Sequence, residues 1–323
     1  MLFRSSGGTS ATLALANAGL STEGDYYVVA SDGRSFIQSQ VATVKLASNN
    51  PGRFVNLSVR AQLDTSGAPL ITGFVMEGAG SRPILVRAVG DTLAQFGVTN
   101  AVRDTALKLY RGTTVLSEND NWAQDATASQ TRTASSAAGA FALADNSKDA
   151  AMVRRLLAEP YTIHALNQTS QSGVVLVEVY DAQGAFDATT RIANVSARAK
   201  VGTGDGVLIA GLVVGGNTTC RLLARVVGPT LSTLGVSGAL ADPTVELYGP
   251  GSATPIASND DWGSVQATVV GEGLFRRVGA FDLPAGSKDS VIVARVQPGS
   301  YTLVAQGKGT AQGEALIEIY LID

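Results

Sequence analysis

Along most of the chain, short runs of alternating apolar and polar residues stand between clusters of Gly, Pro, Asn and Asp, the pattern of short strands joined by tight turns. It predicts strands over 207–214, 244–248, 290–296, 301–306 and 315–321. The same order occurs twice. Arg87-Ala88-Val89-Gly90 matches Arg225-Val226-Val227-Gly228, and Leu109-Tyr110 matches Leu247-Tyr248, at an offset of 138. Asn119-Asp120-Asn121-Trp122 matches Asn259-Asp260-Asp261-Trp262, and 176–180 matches 316–320, at an offset of 140. The two additional residues fall at Gly249-Pro250-Gly251, a turn, where extra length costs little. Residues 53–185 and 191–323 are therefore read as two copies of one β unit.

Helical interruptions are brief. Gly90 and Gly228 are followed by Asp91-Thr92 or Pro229-Thr230, residues that open a helix, and apolar spacing then continues for one or two turns to Gly97 and Gly235. A second short helix is expected between Trp262 and Gly279. The stretch 150–158 is helical in local composition, but its counterpart Val291-Ile292-Val293 is β-branched, and copies of one unit share a fold. Both are read as strands.

Composition narrows the function. Charged residues make up only 16% and the net charge is -3, without the dense Lys/Arg patch that nucleic acid requires. No apolar run is long enough for a membrane span. The single cysteine, Cys220, excludes an intrachain disulfide and is read as buried and inert. His164, the sole histidine, aligns with Val304 in mid-strand, so a histidine-based catalytic site cannot be built twice. No phosphate-binding loop is present. The chain is expected not to be an enzyme.

Ahead of the copies, 12–15, 25–31 and 40–46 alternate as strands. They resemble the last three strands of a bacterial immunoglobulin-like domain, with Tyr26 at the tyrosine corner and Val28 where the second sandwich cysteine would stand. Three strands leave a sheet face uncovered. Residues 1–48 are accordingly expected to be a partial immunoglobulin-like domain, either missing upstream sequence or completed by a neighbour's strand.

The strongest chemical candidate is the acidic turn before each tryptophan. Asn259, Asp260 and Asp261 offer oxygen ligands of the kind Ca²⁺ takes, whereas Asn119 and Asp120 precede Asn121 and so supply one carboxylate fewer. The competing reading is that these side chains cap a tight turn while Trp122 and Trp262 fill a core. Arg87 and Arg225 on one strand, and Glu178 and Glu318 on the last, recur as well. Each Glu faces away from the inner core, and a cross-strand ion pair or a ligand-orienting role both fit. Trp122 and Trp262, with the repeated tyrosines, are candidates for a sugar platform.

The order of Asn259-Asp260-Asp261-Trp262, then Gly279-Ala280-Phe281, then Pro298-Gly299-Ser300-Tyr301-Thr302-Leu303 resembles the bacterial pre-peptidase C-terminal type of module, over 107–180 and 245–320. The resemblance implies a jelly-roll-like, non-catalytic accessory module of secreted proteins, in some cases stabilised by calcium and in some binding polysaccharide or fibrous protein. It implies metal at Asn259, Asp260 and Asp261; Asn121 departs from it. The reading as a whole is an all-β chain of two tandem jelly-roll-like β-sandwich modules after a partial immunoglobulin-like sandwich. It is expected to be secreted or on the cell surface, and to act as a spacer or adhesive region in contact with neighbouring domains, copies of itself, polysaccharide or a surface protein. A carbohydrate-binding accessory module is the alternative.

Overall fold

The computed structural model describes residues 12–15, 18–32, 35–183, 189–264 and 273–322. At the N-terminal end, β1 (Gly24–Tyr26) pairs with β4 (Ala42–Val44) and β2 (Val29–Ser31) with β3 (Phe36–Gln38), so this segment is one bent hairpin. Residues 12–15 form no strand, contrary to their alternation. Tyr26 does form the corner, its hydroxyl donating to the Thr22 carbonyl at 2.8 Å. Val28 is 67% exposed and enters no core.

Each copy then contributes eight strands. The first holds β5 (Arg53–Leu63), β6 (Leu70–Gly78), β7 (Ser81–Val89), β8 (Thr105–Arg111), β9 (Thr114–Asn119), β10 (Ala150–Leu157), β11 (Pro160–Asn167) and β12 (Gly173–Asp181). The second holds β13 (Thr190–Val201), β14 (Leu208–Gly215), β15 (Cys220–Val227), β16 (Pro243–Tyr248), β17 (Pro255–Asn259), β18 (Ser290–Val296), β19 (Gly299–Gly307) and β20 (Gly313–Ile322). The protein is all-β. Within the first copy the ladders run β5-β12-β7-β10 and β6-β11-β8-β9. Counted from the start of the copy this is 1-8-3-6 and 2-7-4-5, the strand order of a jelly roll, and the second copy repeats it. The alternation in β5 shows why the ladders face a core: Leu57, Val59, Ala61 and Leu63 are buried while Ser58, Arg60 and Gln62 point the other way.

The copies are fused edge to edge. β5 pairs with β14 and β13 with β6, so that each copy's first strand completes the other copy's second. The registers are equivalent: Asn56 lies opposite Val213 and Asn194 opposite Val75, related by 56 + 138 = 194 and 75 + 138 = 213. Both ladders slip by one residue at matched places, at Val55 in β5 and at Ala193 in β13. Just before the slips Phe54 pairs antiparallel with its own counterpart Ile192. The sixteen strands thereby form one hydrogen-bonded network about an approximate twofold axis. Their inner faces supply a single core, which includes Leu57, Phe74, Val177, Val195, Leu212 and Ile317. The seam leaves neither first strand as an open edge.

Direction along the strands follows from the same pairings. β5 and β13 start where Phe54 meets Ile192, and β20 finishes there, with Tyr320 opposite Asn194. The chain therefore enters and leaves the fused body at one end. The N-terminal hairpin sits at that end too. Glu23 accepts the N–H groups of Thr219 and Leu46, and Asp25 lies 3.4 Å from Arg295. The excursions between β7 and β8, β9 and β10, β15 and β16, and β17 and β18 all open at the opposite end.

These excursions fold back over the outer sheet faces. The helix-like turn expected after Gly90 is a 3₁₀ segment, Asp91–Phe96, ending at Gly97 with φ 84°. In the first copy α1 (Ala128–Ala137) follows, and in the second α2 (Pro229–Thr233) and α3 (Leu274–Arg277). Part of the helix expected between Trp262 and Gly279 lies outside the described residues. Trp122, Leu93 and Leu143 pack on Val89, Ala151 and Val174 in one outer cluster; Leu231, Phe275 and Leu283 pack on Leu223, Val291 and Tyr320 in the other.

Candidate functional site

The paired arginines and glutamates lie under those excursions. Arg87 stands directly across from Glu178, and Arg225 from Glu318, on neighbouring strands. Arg87 Nε donates to Glu178 Oε2 at 2.8 Å, and its Nη1 donates to the Phe141 carbonyl at 2.6 Å. Arg225 repeats this with Glu318 and the Phe281 carbonyl. The remaining carboxylate oxygen accepts from the tyrosine two residues on, Tyr180 or Tyr320, at 2.6 Å in both copies. Both arginines are fully buried, with Phe141 or Phe281 against the guanidinium face. Burial, followed by the adjacent glutamate charge, raises the pKa of both tyrosines strongly. Every charge is matched and no side chain reaches solvent. The glutamates do face away from the inner core and form the cross-strand ion pair, the first of the two expectations; a second apolar layer covers them.

A further buried carboxylate escaped the sequence reading. Asp149 accepts from the N–H groups of Gly90 and Thr92 and from the Thr92 hydroxyl, and Asp289 does the same for Gly228 and Thr230. Both are completely buried. Each one caps the 3₁₀ or α segment from just before β10 or β18, whereas the sequence points to the local residues after the glycine. The identical tripeptides Ser147-Lys148-Asp149 and Ser287-Lys288-Asp289 were the available signal. Their backbones also receive the N–H groups of Trp122 and Trp262.

The acidic turn divides its work. Asn119 Oδ1 accepts the Ala151 N–H at 2.9 Å and Asn259 Oδ1 accepts the Val291 N–H at 2.8 Å, so both asparagines tie the turn to the adjacent strand. Those amide oxygens are turned to the backbone and not to a cation. Asp260 and Asp261 instead converge with Asp242, which stands just before β16; one carboxylate oxygen from each lies within 4.8 Å of the others. Lys308 Nζ is 2.6 Å from Asp260 Oδ2 and Lys288 Nζ is 2.5 Å from Asp242 Oδ2. Asp242 Oδ1 and Asp260 Oδ1 are buried without a hydrogen-bond partner. In the first copy Asp104 stands for Asp242, held by Lys148 at 2.6 Å, and Asp120 is followed by Asn121.

The tryptophans are not equivalent. Trp122 is 3% exposed, its indole N–H donates to the Ala144 carbonyl, and Arg132 lies 4.8 Å from its ring. It is a core residue of the outer layer, which removes it as a surface platform. Trp262 is partly exposed, its indole N–H directed to the Pro284 carbonyl and the Ser287 hydroxyl. His164 stacks on Tyr110 at 4.4 Å between ring centroids, and burial, aided by Lys108, lowers its pKa. Cys220 is buried, and desolvation pushes its thiol up to about 12. These two lie in different copies and form no joint site.

No protein-family model matches the chain, and no curated protein matches it. Among solved structures the chain is similar to a DUF4785 family protein from Legionella pneumophila, at 9% identity and a TM-score of 0.23, over 94% of this chain and 84% of that one. That likeness carries no argument about fold or activity.

Proposed function

We propose that the chain is a non-catalytic structural and adhesive module of a larger bacterial protein, secreted or displayed at the cell surface. One observation carries this: the fused body receives and releases the chain at one end and gathers its long excursions at the other. Such polarity suits presentation of loops on a stem. It suits a spacer less well, because a body whose termini meet adds little length. The buried ion pairs supply rigidity and the lysine-matched aspartates a charged rim. The test is adhesion of beads carrying the full chain to neutral polysaccharide, acidic polysaccharide and fibrous protein. Retention on one of these surfaces is the expected result. Failure on all three, with the soluble chain monomeric, would remove the adhesive reading.

Calcium belongs to the same proposal at Asp242, Asp260 and Asp261. The two orphaned buried oxygens support it, and hard cations take such carboxylates. Lys288 and Lys308 compete with it, so the ion would have to displace at least one ammonium group. A melting curve that rises with added Ca²⁺ and falls with chelator is expected. An unchanged curve, repeated for Asp261→Asn, would discard the cation.

A carbohydrate-binding accessory role is the second reading. The cleft described next favours it.

A further inference from the structure

Where the two copies meet at the loop-bearing end there is a cleft of about 600 Å³. It lies between the β5–β6 and β13–β14 loops, which are equivalent in the two copies; Gln62 and Asp64 line one side, and their counterparts Lys200 and Gly202 the other. The cleft exists only because the halves are fused. It faces away from the end where the chain enters, and from the N-terminal hairpin.

Its volume suits a small ligand. Its chemistry is balanced: Arg198 and Lys200 offer two positive charges, Asp64 and Glu314 two negative ones, a sum of 2 − 2 = 0. An anion would meet both carboxylates, and a cation would meet the arginine and the lysine. Gln312 adds an amide that both donates and accepts. The side chains of Arg198, Lys200 and Gln312, which are exposed, and of Glu314, which is half-buried, form no hydrogen bond or ion pair with another described residue, while Asp64 is held by Ser66 with the charge of Lys200 acting on it. Donors and acceptors are thus free together. Hydroxyl groups, each donor and acceptor at once, answer that arrangement. No aromatic ring lines the cleft, so recognition there rests on hydroxyl contacts and not on ring stacking.

We propose that this cleft binds a neutral, hydroxyl-rich ligand, one or two sugar units of a saccharide. The proposal rests on the carbohydrate reading above and places its site at the seam, away from Trp122 and Trp262.

The test is titration of the full chain with a panel of neutral and acidic oligosaccharides, followed by ligand-observed nuclear magnetic resonance. Arg198→Ala, Gln312→Ala and Trp262→Ala are compared, each with a melting curve. Binding of a neutral saccharide that weakens about tenfold or more in Arg198→Ala and Gln312→Ala, while Trp262→Ala retains it, is the expected result. Binding that persists in Arg198→Ala and Gln312→Ala but is lost in Trp262→Ala would overturn the cleft and leave the carbohydrate reading standing. Preference for acidic saccharides would overturn the charge argument. No binding to any member of the panel would remove both. Gln312→Glu, in an exposed loop, serves as the second probe if Arg198→Ala melts early; it is expected to weaken binding by disturbing the balance of charge, and unchanged binding would count against the cleft.

Discussion

Phe54 and Ile192, equivalent residues of the two copies, are paired to each other across an antiparallel bridge. Only a twofold relation lets a position meet its own counterpart in this way, since an antiparallel ladder maps onto itself about an axis through a pair. The consequence is a single body in which each half closes the edges that the other's first two strands would leave open.

The buried ion pairs should respond asymmetrically to substitution. Removing one partner, as in Glu318→Ala, leaves Arg225 charged and desolvated, and a loss of roughly 3–5 kcal/mol is expected. The double variant Arg225→Met, Glu318→Leu should recover a large part of it. Chemical denaturation of the three proteins decides. Equal losses for single and double variants would show that the pair itself, and not the orphaned charge, carries the stability.

Asp289→Ala should strip the acceptor from the Gly228 and Thr230 N–H groups, with a loss on the order of 1–3 kcal/mol for each group left unsatisfied. Hydrogen exchange in α2 should quicken more than in β19. Uniform quickening would mean that Asp289 is not a local clamp.

Acid should release the N-terminal hairpin before the body unfolds. Burial opposes ionisation of Glu23, but hydrogen bonds from Thr219 and Leu46, with the charge of Arg295, outweigh it and hold its pKa below the usual 4.5. A lowered folded-state pKa contributes stability that is present above pH 4.5 and is lost as the pH falls through the folded value. Amide exchange over 24–44 should therefore rise in that window, and Glu23→Gln should abolish the dependence. An unaltered pH profile in Glu23→Gln would assign the release to another group.

Much of this architecture was legible beforehand, and the reasons are specific. Strand positions followed from alternation, and 150–158 was placed correctly through its β-branched partner. The all-β character followed from the same alternation. The seam was not legible, because inward positions such as Leu57 and Leu212 read the same on an edge strand as on a central one. Nor did alternation show that Glu178 and Glu318, though facing away from the core, would be sealed beneath residues far along the chain. At the acidic turn, composition could not separate an amide oxygen bound to a backbone N–H, as in Asn119 and Asn259, from one free for metal. Asp242, distant in sequence, completes the carboxylate group that the turn alone left short.

Cys220 should resist thiol reagents in the folded protein, since burial keeps it protonated at ordinary pH. Modification should keep pace with global unfolding as denaturant is added. Rapid labelling without denaturant would contradict its burial.

The most direct test of the fused body is native-state hydrogen exchange at β5 and β13. If each half closes the other, amides on the seam side, such as those of Ser196 in β13 and Ser58 in β5, exchange only through global unfolding, at the rate of the central strand β12. Exchange of these amides at the rate of the outer strands β9 and β17 would show two separate halves and contradict the account.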